Sequence, residues 1–344
     1  MKLHIVAHHG SPLGVTEKSI YGDGVQLGVG GSELYLLTMC RAWKEAGHDV
    51  TLYNNPRERG ASCFEQKNLT EFDPEEWRDV LIIFRAENPR TVAAKCGRKI
   101  FWSCDQFTVG NFYELARRVD KVVTISPFHQ EYFRTRYNIE NSVVIDIPVR
   151  EWDYAGVSVE KDPMQVLFCS VPDRGINELA RIWGPVTEEV PEAKLHITSD
   201  YRLWDAGLSA NISLKHKIKF TSFPNVTYHA LVPRPKLIEL QIQSAIQLYP
   251  CTYEELFCIS TAECCYAGAY PITSTCGALA TTNLGTKIGF PIGDKEIREF
   301  VDKTIHCLKN QETCLGCGSA VQEQAKERFS IRKAIQKWDE VIHE

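Results

Sequence analysis

The sequence predicts an α/β protein built from two parallel-sheet domains, and three observations carry that prediction. Short apolar runs alternate with amphipathic helical stretches from end to end, the pattern of strands covered on both faces by helices. The 344 residues exceed one ordinary open α/β domain and suit two of roughly 150 each. The periodic pattern lapses over 148–163, where charged and small residues take over, and restarts beyond it. The expected organisation is a first domain at 1–150, a hinge at 151–163, a second domain at 164–320, and a terminal helix in 321–344 that returns to the first domain.

Each element has a local cause. A strand over 3–7 opens the chain. Gly30-Gly31-Ser32-Glu33 then starts a helix that runs past Trp43 to Gly47; Leu36, Cys40 and Trp43 recur at helical spacing while Arg41 and Glu45 take the wet face. Strands follow at 50–53, 80–84, 99–102, 122–125 and 143–147, with helices near 112–118 and 127–136. The second half reads as strand 165–169, helix 177–183, strand 194–198, helix 235–243, strand 245–249, helix 261–267 and strand 270–274. The tail from 320 to 342 reads as one long amphipathic helix carrying Ile331, Ala334, Ile335, Trp338 and Ile342 on one side.

Composition narrows the functional classes. With 44% hydrophobic and 24% charged residues both halves can bury a core, and a formal net charge of -5 gives no general basic footprint for nucleic acid. The first residues read as a strand rather than a targeting segment, and no apolar run reaches the roughly 18–20 residues of a membrane span. An odd count of 13 cysteines fits reduced thiols, so a cytoplasmic protein is expected.

The sharpest chemical signal is a pair of carboxylates, Glu255 and Glu263, separated by seven residues. Glu255 follows the strand end Leu248-Tyr249-Pro250, and Glu263 is expected in the first turn of the next helix. The backbone N–H groups of Phe257, Cys258, Ile259 and Ser260 and the positive end of that helix then converge on one spot, suited to a diphosphate. Glu263 would accept hydrogen bonds from a ribose diol and Glu255 from hydroxyls of a sugar. Two solvated surface glutamates are the plainer alternative.

These residues, with Ser274-Thr275-Cys276-Gly277-Ala278-Leu279 after them, resemble the donor site of retaining glycosyltransferases of family four. The resemblance covers most of the chain. Gly30-Gly31-Ser32-Glu33 matches the glycine pair opening that family's first helix, and Val123-Thr124-Ile125-Ser126-Pro127-Phe128 is similar to its strand-to-helix step. Ser170-Val171-Pro172-Asp173-Arg174-Gly175-Ile176 resembles the start of its C-terminal half, and Val226-Thr227-Tyr228-His229-Ala230-Leu231 its base-binding turn, with Ala230 where relatives often have Gly. The resemblance implies the GT-B fold, two Rossmann-like domains with parallel sheets facing across a cleft. It further implies that Arg174 neutralises the donor phosphates, Glu263 holds the ribose and Glu255 contacts the transferred sugar. Gly30, Gly31, Ser170 and Leu231 join the donor site by the same route.

The activity so implied moves a sugar from a UDP- or GDP-sugar to a hydroxyl acceptor, with retention at the anomeric carbon and the departing phosphate as base. The acceptor would be a saccharide, a small molecule or modified DNA. The nucleotide sugar is a co-substrate, and no further cofactor is implied. A guanidinium and fixed N–H dipoles can stabilise the leaving diphosphate. The chain contains no Asp-x-Asp, so metal independence is expected. Two departures stand out: Cys169 occupies a usually basic position five residues before Arg174, and Ser103-Cys104-Asp105 stands where relatives carry His-Asp. Asp105 is the expected acceptor-side group.

Other readings compete. Transfer to hydroxymethylated pyrimidines in DNA would need Arg85, Arg90, Lys95, Arg98 and Lys99 gathered at one mouth. A nucleotide-sugar epimerase or hydrolase would need an acid/base pair at Asp105, and a non-catalytic sugar-binding protein would have no need of Arg174, Glu255 and Glu263 together. Cys314-Leu315-Gly316-Cys317 with Cys307 and His306 lacks a second ligand pair for structural zinc. Cys258, Cys264, Cys265 and Cys276 read as small packing residues. His8-His9-Gly10 and Arg85 fall at strand ends, where α/β sheets bind ligands.

Overall fold

The structure is a computed structural model that describes residues 1–10, 13–22, 28–106, 112–204 and 210–344. The chain divides into two units, Met1–Pro148 with Ile331–Glu344, and Val149–Ser330.

The first unit holds strands β1 (Lys2–Val6), β2 (Asp49–Tyr53), β3 (Glu65–Lys67), β4 (Val80–Phe84), β5 (Arg98–Trp102), β6 (Lys121–Thr124) and β7 (Ser142–Val144). They form one parallel sheet in the order β3-β2-β1-β4-β5-β6-β7. The central β4 is Val-Leu-Ile-Ile-Phe and buried throughout, as a strand covered on both faces requires. The helix Gly31–Glu45 presses Leu36, Cys40 and Trp43 into the core and pairs Arg41 with Glu45 outside. Trp338, on the last helix Ile331–His343, is fully buried against Trp43 and Trp102 with ring centroids 5.1 and 5.2 Å away.

The second unit holds β8 (Asp162–Cys169), β9 (Lys194–Thr198), β10 (Val226–Tyr228), β11 (Ser244–Tyr249), β12 (Tyr270–Ser274) and β13 (Thr286–Ile288). Its order, β10-β9-β8-β11-β12-β13, repeats the plan of the first sheet, again all parallel. In both sheets the direction of winding reverses beside the first strand, between β1 and β4 and between β8 and β11. Such switch points open a crevice at the carboxyl ends of the strands, where ligands bind in α/β proteins.

Three sequence expectations change. The tail is two helices, Gln311–Arg328 and Ile331–His343, because the chain passes from one unit to the other at the break. The segment 151–163 is no separate hinge: Tyr154 donates to Gln241 Oε1 at 2.6 Å, Arg150 pairs with Asp153, and β8 starts at Asp162, all within the second unit. The turn at Val226-Leu231 begins as an edge strand, β10. The pattern also passed over helices at Asp294–Lys309 and Ala210–Thr221. No helix among the described residues is long and apolar enough to cross a membrane.

Candidate active site

At the switch point of the second sheet, two glycines let separate loops meet. Gly175 has φ +116°, and a Cβ on it would lie 2.2 Å from the Pro250 carbonyl oxygen, so the turn after β8 presses directly on the end of β11. That approach sets Arg174 Nη1 2.8 Å from Glu255 Oε1, with the guanidinium 4.3 Å above the centre of the Tyr253 ring. Gly277, at φ +59°, holds the other side: a Cβ there would lie 2.4 Å from the Glu255 carbonyl oxygen. Glu255 and Gly277 form a parallel bridge, and Ala278 N donates to Glu255 O at 2.7 Å.

Tyr249, the last residue of β11, donates its hydroxyl to Glu255 Oε1 at 2.7 Å and meets Ser170 Oγ at 3.0 Å. Burial, then the adjacent Glu255, raises the Tyr249 pKa well above the ordinary phenol range, so this hydroxyl is a neutral donor. Burial opposes the charge on Arg174, yet the adjacent Glu255 outweighs it and raises the guanidinium pKa. The result is a partly buried arginine that stays charged, aimed by a carboxylate that is itself aimed by a tyrosine.

The helix Ile259–Tyr266 starts beside this pair from Cys258, held at φ +72°. The Thr261 and Ala262 amides turn back to the Cys258 carbonyl, which leaves the Ile259 and Ser260 amides at the helix's positive end. Phe257 is buried against Phe329 and steadies the turn. Cys258, Cys264, Cys265 and Cys276 are buried, and burial pushes the Cys258, Cys265 and Cys276 thiols up to about 12. Cys169 lies 3.7 Å from Cys264, sulfur to sulfur.

Glu263 falls in the second turn of this helix rather than the first, and it is 2% exposed. Its Oε1 lies 2.7 Å from Arg234 Nη2, and its Oε2 accepts from Gln241 Nε2 at 3.1 Å. Arg234 Nε donates to Asp153 Oδ2 at 2.9 Å, and Asp153 also faces Arg150. Leu231 follows Ala230, whose left-handed φ of +57° closes the turn after β10; Ser199 N donates to the Ala230 carbonyl at 3.1 Å.

The first unit carries a second cluster at its own switch point. Arg85, immediately after β4, adopts a left-handed φ of +66°, rare for a residue with a side chain. Its guanidinium grips Asp105 through two hydrogen bonds, Nε to Oδ2 at 2.5 Å and Nη2 to Oδ1 at 2.8 Å, and Nη1 lies 3.4 Å from Glu33 Oε1. Gly30 fits beneath the same Glu33, since a Cβ there would lie 2.4 Å from Oε2; Gly31 is the first residue of the helix. A histidine reaches this corner from the Ser126-Pro127 step: His129 Nε2 lies 3.0 Å from the Asp105 carbonyl oxygen. Burial lowers the His129 pKa to about 3, so the ring is neutral.

The basic residues needed for a DNA acceptor are not gathered. Lys95 pairs with Glu75, Arg98 lies 3.5 Å from Glu344, Lys99 donates to the Val92 carbonyl and Arg90 to the carbonyls of Leu69 and Phe72. Among the described residues no group of three or more His, Cys, Asp or Glu side chains could hold a metal ion.

No family model and no curated protein matches the sequence. Solved structures do. AviGT4, a glycosyltransferase involved in avilamycin A biosynthesis, superposes with a TM-score of 0.70 at 15% identity over 100% of this chain and 97% of its own. HepE of Anabaena, solved with UDP and glucose, gives 0.64 at 14% identity over 100% and 99%. TarM gives 0.59 at 16% identity over 77% of this chain, which spans only 55% of TarM. The fold is GT-B. At these identities the likeness is one of architecture, and the GT-B plan accounts for the repeated strand order and its paired switch points.

Within the GT-B frame, sequence reasoning placed Arg174, Ser170, Glu255 and Phe257 through Ile259 at one end of one sheet, and the structure brings them together there. It missed Tyr249, Tyr253, Arg234 and Gln241 as partners. Only the strand-end position of Tyr249 signalled one of them.

Proposed function

We propose that this protein is a glycosyltransferase that moves a sugar from a UDP- or GDP-sugar to a hydroxyl acceptor, with retention and without a metal. One observation carries the reading: the Arg174–Glu255 pair stands at the carboxyl ends of β8 and β11, beside the amide-lined start of the helix Ile259–Tyr266. Cleavage of the donor leaves a nucleoside diphosphate, and the catalyst must meet the charge that forms. A preset cation and fixed N–H dipoles meet it without rearranging. Glu255, oriented by Tyr249 and Arg174, accepts hydrogen bonds from the transferred sugar, while Ser170 and Leu231 line the same end of the sheet. Glu263, oriented by Arg234, is the proposed partner of the ribose hydroxyls, as a carboxylate offers about four acceptor sites. Asp105, gripped by Arg85 in the first unit, is the proposed acceptor-side group. Thirteen cysteines without a disulfide support a reducing, cytoplasmic setting.

The test is a panel of nucleotide sugars with EDTA present, read by thermal shift and by release of nucleoside diphosphate. Stabilisation and release by one donor are expected, with Glu255→Ala losing release while keeping the fold. Binding without release under any acceptor would replace this reading with a sugar-binding one.

A further inference from the structure

The second half of the helix Ala210–Thr221 packs inward through Phe220. Phe220 is fully buried, with its ring 5.8 Å from Phe223 and 6.4 Å from Tyr228. The opposite side carries Leu214, 50% exposed, and Ile218, 62% exposed. At four residues apart they form one apolar stripe. Lys215 and Lys217 are exposed about 80° to either side of that stripe at 100° per residue, with Lys219 beyond. None of the three lysines pairs with a carboxylate among the described residues.

We propose that this helix face docks on an anionic lipid surface. Aliphatic side chains at the centre enter the acyl boundary while flanking lysines extend along them to the phosphates, the arrangement of an interfacial helix. A protein partner fits less well. Interface cores are depleted in lysine, and a stable interface needs about 800 Å² per partner, more than two side chains supply. The chain's net charge of -5 means that attraction to an anionic surface is local to this face. The proposal is independent of the glycosyl-transfer reading.

Co-sedimentation with vesicles tests it. The full chain should bind vesicles of equal parts phosphatidylglycerol and phosphatidylcholine, bind pure phosphatidylcholine far more weakly, and release in about 1 M salt, where the Debye length is about 3 Å. Lys215→Gln, Lys217→Gln and Lys219→Gln should each cost roughly fivefold in partition. Leu214→Ser with Ile218→Ser should cost at least tenfold while thermal unfolding stays unchanged. No binding to the mixed vesicles overturns the proposal, as does full binding by the double serine variant, which would leave only a lysine–polyanion contact. A dimer in sedimentation velocity that the serine variant abolishes, without vesicle binding, would assign the face to a second copy instead.

Discussion

Arg234 and Glu263 meet as opposite charges 2.7 Å apart with side chains 7% and 3% exposed, a close approach of charges rather than an aligned hydrogen bond. The second carboxylate of the pair seen in the sequence is thus held by an arginine 29 positions away that no local pattern announces. Arg234 also serves Asp153, so one guanidinium ties the segment after Val149 to the helix that carries Glu263.

Removing that guanidinium leaves the buried Glu263 carboxylate without its counter-charge and Asp153 with Arg150 alone. Arg234→Ala is expected to cost about 3–5 kcal/mol of stability. Urea unfolding followed by circular dichroism reads it; a loss below about 1 kcal/mol would mean that solvent already screens the network.

Tyr249→Phe deletes one hydroxyl that orients Glu255 and meets Ser170. Stability should fall by only about 1 kcal/mol, the typical net worth of a hydrogen bond. Under the proposed function, turnover should fall about tenfold, because Glu255 loses one of its two guides. An unchanged kcat with a raised KM would instead confine Tyr249 to binding.

Gly277→Ala places a methyl group against the Glu255 carbonyl at a left-handed φ. We expect a loss of at least about 2 kcal/mol, as both strain and displacement of the Glu255 backbone contribute. The midpoint of chemical unfolding checks this, and a wild-type midpoint would show that the loop yields freely.

Acid should loosen both units before carboxylate titration dominates. Burial lowers the pKa of His129 to about 3, that of His4 to about 4 with Arg78 assisting, and that of His196 to about 4 with His229 assisting. Folded values below the ordinary imidazole value of 6.5 mean that the unfolded chain binds more protons in the window between them. Stability is therefore whole above about pH 6.5 and falls as pH drops toward 4, by about 1.4 kcal/mol per unit for fully buried His129 and by less for His4 and His196, whose values are lowered less. Melting temperatures across this range read the slope, which His129→Gln should flatten. A flat wild-type profile would contradict the burial.

The fold was legible where one segment suffices. The all-apolar β4 and the glycine pair before the helix Gly31–Glu45 declare themselves, Glu255 and the turn at Phe257–Ile259 could be placed from a strand end, and Arg174 came from the family resemblance. What sequence hid depends on distant contacts. The helix Ala210–Thr221 turns Phe220 inward and Leu214 and Ile218 outward, so its apolar residues follow no single face. The break near Phe329 carries no glycine or proline. It exists because Phe329 packs on Phe257 while Trp338 packs on Trp43, each in a different unit.

Trp338 fixes an order of assembly. A growing chain carries every strand of the first sheet long before it carries the indole that fills that sheet's covering layer. The intervening unit, uninterrupted in sequence, can reach its native form while the earlier-made one still waits for its final side chain. During synthesis the first unit can therefore close its core only after the whole of the second unit has been made.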